Sequence, residues 1–348
     1  MKNIFRVVLI SLILGQFSAC TKSVYVKVMK PAPYTVPQNI KTIALVNRTE
    51  PKNKTLDIVE SIVTGEALMS DREGAMRALD GIYTTMQEYP RFNIVRTNLT
   101  LRTKSLLGSL PNPMSWDEVR KIAADNHADA VLAIELFDTD FIVTHGSKQV
   151  EKKDSKEKVV KVTVYYAEGV AKVKMGVRLY NVITRSVIDE YIFENFRKWD
   201  AEGSSIQDAI AHLVTQKYAI EDISNFSGAE YARRICPLWT NVKRSMYTKS
   251  EGNEDMKAGT RKADVGDWNG AKESWMNALT SGDIKTKGRA AYNIALAEEI
   301  DGRLENARFW ASKAYTEFGN KSARNYVNIL NRRIEEEKKL EQQLKNSK

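Results

Sequence analysis

The sequence predicts an α+β, or α/β, N-terminal domain with a mixed sheet and an antiparallel meander, followed by an all-α domain of helical repeats. Three observations predict it. Short apolar runs alternate with helix-spaced segments from Ile40 to Leu136. Period-two stretches follow between Val160 and Leu179. A Gly-x-x-x-x-Ala unit then recurs near the C-terminus, with its alanines at 271 and 307.

In chain order, Lys2 and Arg6 precede the apolar run Val7 to Gly15, and Phe17-Ser18-Ala19-Cys20 closes the segment. Charge, apolar run and small residues in that order define a secretory leader. The run is shorter than the roughly 20 residues that span a bilayer. A cysteine directly after the small pair resembles the lipobox of bacterial lipoproteins, with Phe17 in place of the usual Leu. That resemblance implies removal of residues 1–19 and acylation of Cys20; an ordinary cleaved leader with a coincidental cysteine is the alternative. Thr21 and Lys22 lack the Asp that retains related lipoproteins in the inner membrane, which implies the outer membrane, facing the periplasm.

The 348 residues carry a net charge of +9, with 43% hydrophobic and 28% charged residues, as in an ordinary globular protein of two or three domains. The basic excess favours anionic partners, while export argues against nucleic acid. Of the two cysteines, an acylated Cys20 leaves Cys236 unpaired, and its Ile, Leu and Trp neighbours read as a small buried hydrophobe.

Residues 20–39 read as a lipidated tether punctuated by Pro31, Pro33 and Pro37, with strand pairing around Val24, Val26 and Val28 as the alternative. The domain at 40–200 opens with a strand at Ile40–Val46, a helix around Ala75–Met86 and a strand at Phe92–Val95. Ser115 and Glu118 form a capping box that opens a helix through Val119 and Ile122, and Asp129–Leu136 is the next strand. The charged run Lys148–Lys158 reads as a mobile loop. Val160–Tyr166, Ala171–Leu179 and Val187–Phe196 read as three strands of a meander, with Lys161, Lys172, Lys174 and Arg178 on its wet face. That face is either a docking surface for an anionic partner or simply solvated. Residues 201–252 read as a helical connector through Tyr231, Ile235, Leu238, Trp239 and Val242.

Residues 253–318 carry the repeat. Gly266, Ala271, Trp275 and Ala278 correspond to Gly302, Ala307, Ala311 and Ala314 at a spacing of 36, near the roughly 34 of a tetratricopeptide repeat. Glycine turns the chain and alanine lets two helices approach. The pattern resembles an all-α tetratricopeptide-like helical domain, although both copies lack the family's terminal proline; independent helical hairpins are the alternative. Residues 319–348 form a capping helix with a charged tail.

No catalytic residue, metal site or cofactor is indicated. His127, His145 and His212 lack metal-ligand spacing, Asp138-Thr139-Asp140 reads as a turn, and no Gly-rich phosphate loop or nucleophile elbow occurs. Thr42-Ile43-Ala44-Leu45, Ala128 to Leu132 and Gly176 to Asn181 followed by Thr184 resemble the α/β module of outer-membrane lipoproteins of the curli-secretion and penicillin-binding-protein-activator type. With the repeats, the chain is also similar to other envelope lipoproteins. The resemblance implies a place in the envelope; the lipobox, the repeats and the lack of a catalytic constellation together read as a membrane-anchored, non-enzymatic scaffold that recruits an envelope protein through its repeats. The alternative is a subunit of an oligomeric outer-membrane secretion pore, for which a second copy of the chain is a partner.

Overall fold

A computed structural model describes residues 21–51, 67–89, 91–103, 109–153, 155 and 157–345; the leader and Cys20 lie outside them. The chain folds as an α+β domain with a mixed sheet and antiparallel meander, then an all-helical region. Among the described residues two compact units result: Ala32–Leu238 with residues 343–345, and residues 21–31 with Trp239–Gln342.

The first unit is built on a five-stranded sheet of order β3-β2-β4-β5-β6. Strands β2 (Thr42–Pro51), β3 (Asn93–Thr103) and β4 (Ala130–Lys153) are mutually parallel; β5 (Val159–Asn181) and β6 (Ser186–Gly203) continue antiparallel. Helix α1 (Ala67–Gln87) connects β2 to β3, and α2 (Trp116–Asp125) connects β3 to β4. Because β3 and β4 flank β2, the chain reverses its winding direction there and places helices on both faces. Ile43, Leu45, Leu132, Ile134, Val173, Met175 and Val177 bury one face with α1 and α4 (Gln216–Ile235). Ala44, Val46, Val131, Ala133 and Tyr180 bury the other with Val119, Ile122 and Ala123 of α2. A short α3 (Ile206–His212) precedes α4. As the sequence predicts, Ser115 caps α2, accepting from the Glu118 N–H.

Helices α1 and α4 pack backbone to backbone through glycine. A Cβ on Gly228 would lie 1.9 Å from the Ala78 carbonyl oxygen, and one on Gly81 would lie 2.1 Å from that of Asn225. Helix α4 is therefore a layer of the domain, not part of a connector.

Several expectations are corrected. Val160–Tyr166 and Ala171–Leu179 belong to one strand, β5, paired with β4 from Ala130↔Asn181 to Lys153↔Val159. The supposed loop is strand as far as Lys153, and Asp138–Asp140 is strand rather than turn. A two-stranded ribbon wet on both faces tolerates charge at every position, and the directly opposed Glu151 and Lys161 complement each other. A continuous β5 also puts Lys161 on the opposite face from Lys172 and Lys174 by parity. Arg178 is buried. Leu238–Tyr247 is a strand, β7, not helix.

In the second unit β7 pairs with β1 (Thr21–Lys30), so the predicted tether begins as a strand. Five helices follow: α5 (Glu254–Asp264), α6 (Trp268–Ser281), α7 (Ile284–Ile300), α8 (Leu304–Thr316) and α9 (Lys321–Leu344). Helices α5 to α8 each pack on the next. The links after α5 and α7 turn at Gly266 (φ +81°) and Gly302 (φ +75°), a backbone region that glycine enters without a Cβ clash. Val26, Val28 and Met246 of the ribbon share a core with Met256, Trp275, Ala290 and Ile294. Tyr292, Ala295, Tyr326 and Leu330 carry a second cluster towards α9.

Candidate functional site

Open α/β sheets bind ligands outside the carboxyl ends of strands where the winding reverses. Here the reversal lies between β2 and β4, and a buried charge cluster sits where their pairing ends, just past Asn47↔Ile134. The Glu135 Oε1 accepts from Arg48 Nη1 at 3.0 Å and from the Tyr180 hydroxyl at 2.6 Å. Its Oε2 accepts from Arg178 Nη1 at 2.5 Å, and Arg178 Nε donates to Glu190 at 2.6 Å. Arg178 and Arg48 also donate to the carbonyls of Pro111 and Asn112, and Tyr180 accepts from the Met114 N–H. The cluster thus ties the segment before α2 to the sheet. Burial, reinforced by the Glu135 charge, holds the Tyr180 phenol well above its ordinary range, so it remains a donor. Both carboxylate oxygens are filled by the chain's own donors, which suits a structural clamp better than a proton-transfer group.

A second cluster lies in the helical unit. Glu299 is bound by Arg244 through Nε and Nη2, each at 2.8 Å, by Arg333 at 2.8 Å and by the Tyr326 hydroxyl at 2.6 Å. Burial alone would raise the Glu299 carboxyl, but the hydrogen bonds from Arg244 and Tyr326 and the two guanidinium charges outweigh it and hold it below its ordinary range. Next to it in sequence, Glu298 pairs with Lys272 and Arg303. Arg244 stands on β7, so Glu299 fastens the ribbon to α7. Further bonds follow the same line: Asn293 exchanges two with the Tyr247 backbone, Thr260 donates to the Thr248 carbonyl, and Arg289 donates to that of Lys249. Strand β7 and the residues after it thereby cover faces of α5 and α7.

The predicted repeat residues are placed consistently with one another. Ala271, Trp275, Ala278, Ala307, Ala311 and Ala314 are fully buried, and Gly266 and Gly302 turn the chain. Outward-facing apolar side chains remain on the same helices: Met276 of α6 is 42% exposed and Phe309 of α8 is 59% exposed. Cys236 is buried in the first unit's core, and desolvation pushes its thiol up to about 12. Among the described residues no group of three His, Cys, Asp or Glu could hold a metal ion, and no helix is long and apolar enough to cross a membrane. Cys20 lies outside the described residues.

Sequence reasoning missed Glu135, Arg48, Glu299 and Arg244. The available signal was a lone carboxylate inside an apolar run, Ala133-Ile134-Glu135-Leu136-Phe137, and the Glu298-Glu299 pair inside Ala295 to Ile300. A charge in such a run demands a partner, but the sequence does not say which.

Together these features define a two-part protein: a mixed-sheet domain clamped where its β2–β4 pairing ends, and a helical unit closed by a strand ribbon. Residues 40–247 match the family described as a domain of unknown function (DUF8603), and the chain belongs to that family. Residues 257–332 match a second domain of unknown function (DUF6340). No curated protein matches the chain.

Proposed function

We propose that the protein is a lipid-anchored periplasmic lipoprotein of the outer membrane, acylated at Cys20, that acts as a non-catalytic scaffold and recruits an envelope protein through its tetratricopeptide-like helices. The observation that carries the recruiting role is the pair of outward apolar side chains, Met276 and Phe309, on helices whose inner residues are packed. Strand β7 lies on α5 and α7, so the partner is assigned to the outward faces of α6 and α8. The anchor rests on the leader and lipobox. Affinity capture from envelopes with wild type and with Met276→Ser/Phe309→Ser tests the role. A partner that is enriched by wild type and lost from the variant supports it; identical partner sets refute it.

A second reading, a subunit of an oligomeric outer-membrane secretion pore, has one observation in its favour. Strands β4 and β5 pair from Ala130↔Asn181 to Lys153↔Val159, longer than the 9–11 residues, roughly, of a bilayer-spanning strand. The apolar positions Ala171 to Leu179 are already used, packed in the sheet core under α1 and α4. A monomeric mass in detergent would end this reading.

A further inference from the structure

The β1–β7 ribbon has one face in the core and one in water. Val26, Val28 and Met246 point inward. On the wet face β1 presents Ser23, Tyr25 and Lys27, and β7 presents Trp239, Asn241, Lys243 and Ser245. Tyr25 is 67% exposed and Trp239 is 46% exposed. Lys27 sits over the Trp239 ring, its Nζ 5.1 Å from the centroid.

Tryptophan and tyrosine have an apolar body and a polar tip, and lysine has an apolar stem under its charge. These side chains settle at the boundary between headgroups and acyl chains. Anionic headgroups attract nearby lysines. Placement singles out a membrane among the occupants of such a face. Strand β1 starts at Thr21, the residue after Cys20. One extended residue spans only about 3.5 Å, so an acyl chain on Cys20 brings the start of this strand into the headgroup layer.

We propose that the outward face of the β1–β7 ribbon docks on phospholipid headgroups, so that the anchor and the ribbon together orient the helical unit against the bilayer. This rests on acylation of Cys20, the reading given above. The ribbon makes a second contact with the surface the anchor already holds, and so sets orientation more than affinity.

The test uses full-length protein purified from membranes and reconstituted into vesicles of phosphatidylcholine, with or without phosphatidylglycerol, whose acyl chains carry bromine near the headgroup. Mass analysis of the same sample reports whether Cys20 is acylated. Docking is expected to quench tryptophan emission; Trp239→Phe should remove most of that quenching, and Trp199→Phe should leave it. Lys27→Gln with Lys243→Gln is expected to lower the docked-to-undocked ratio about thirtyfold in the anionic vesicles, with little change in phosphatidylcholine alone. Unaltered unfolding midpoints would show that these exposed substitutions preserve the fold. Acylated protein whose Trp239 is not quenched overturns docking and leaves the anchor standing. Unacylated protein that still binds with Trp239-dependent quenching upholds the face and refutes the anchor. Absence of both acylation and quenching overturns both.

Discussion

Glu135 and Glu299 are carboxylates that the fold has taken out of water and surrounded with guanidinium groups and a phenol. Removing one member of such a buried set leaves the others charged and unpaired, at a cost of about 3–5 kcal/mol. Glu135→Gln is therefore expected to destabilise the mixed-sheet domain by that amount in urea unfolding; a change under about 1 kcal/mol would show the clamp to be dispensable. Glu299 adds a pH dependence. Its folded-state carboxyl lies below the ordinary value of 4.5, so its stabilising contribution is complete above that value and is lost as pH falls through the folded one. The thermal stability of the helical unit should therefore fall on acidification below 4.5, and Glu299→Gln should both lower stability at neutral pH and flatten the acid limb. Cys236, with its thiol raised to about 12, is expected to resist alkylation at pH 8 until the chain unfolds; rapid native labelling would contradict its burial. Cys236 was legible from its apolar neighbours. The two glutamates were not, because their arginines stand far away in the chain: Arg178 is 43 residues from Glu135, and Arg244 is 55 residues from Glu299.

At the scale of elements, local chemistry was legible wherever one side chain decides the outcome. Ser115 announces α2, and Gly266 and Gly302 announce the turns before α6 and α8. The reach of β4 and β5 was not, since Lys148 to Lys153 carries the composition of a loop and gains its strand character only from the partner strand. Strand β7 was missed for a related reason. Its alternation of Trp239, Asn241, Lys243 and Ser245 mixes aromatic and polar groups on the wet face, so hydrophobicity alone shows no period of two. The crossing of α1 and α4 is equally invisible in sequence, yet it gives a sharp expectation. Gly228→Ala puts a methyl 1.9 Å from the Ala78 carbonyl oxygen, and forcing the helices apart should cost at least the 1–3 kcal/mol, roughly, of an overpacked core. Chemical denaturation measures it, and an unchanged midpoint would mean that the helices are not so close.

For the whole molecule, two units with separate cores suggest separable unfolding. Calorimetry is expected to show two transitions, with Glu135→Gln lowering one and Glu299→Gln lowering the other; a single transition shifted equally by both would indicate one cooperative body. The α+β-then-helical succession was legible from periodicity and the 36-residue recurrence, whereas the discontinuity of the helical unit was not, because nothing in Val24 to Met29 names a partner some 200 residues onward. That discontinuity has a consequence for biogenesis. Lys30 ends β1 and Leu238 begins β7, so the strand that is synthesised first must wait until about two thirds of the polypeptide has been made before it finds its mate. The intervening domain can mature during that delay as an insertion, while the unit next to the proposed anchor closes last. A chain cut short before β7 would leave that first strand without its mate, an unpaired edge ready to template aggregation with another chain.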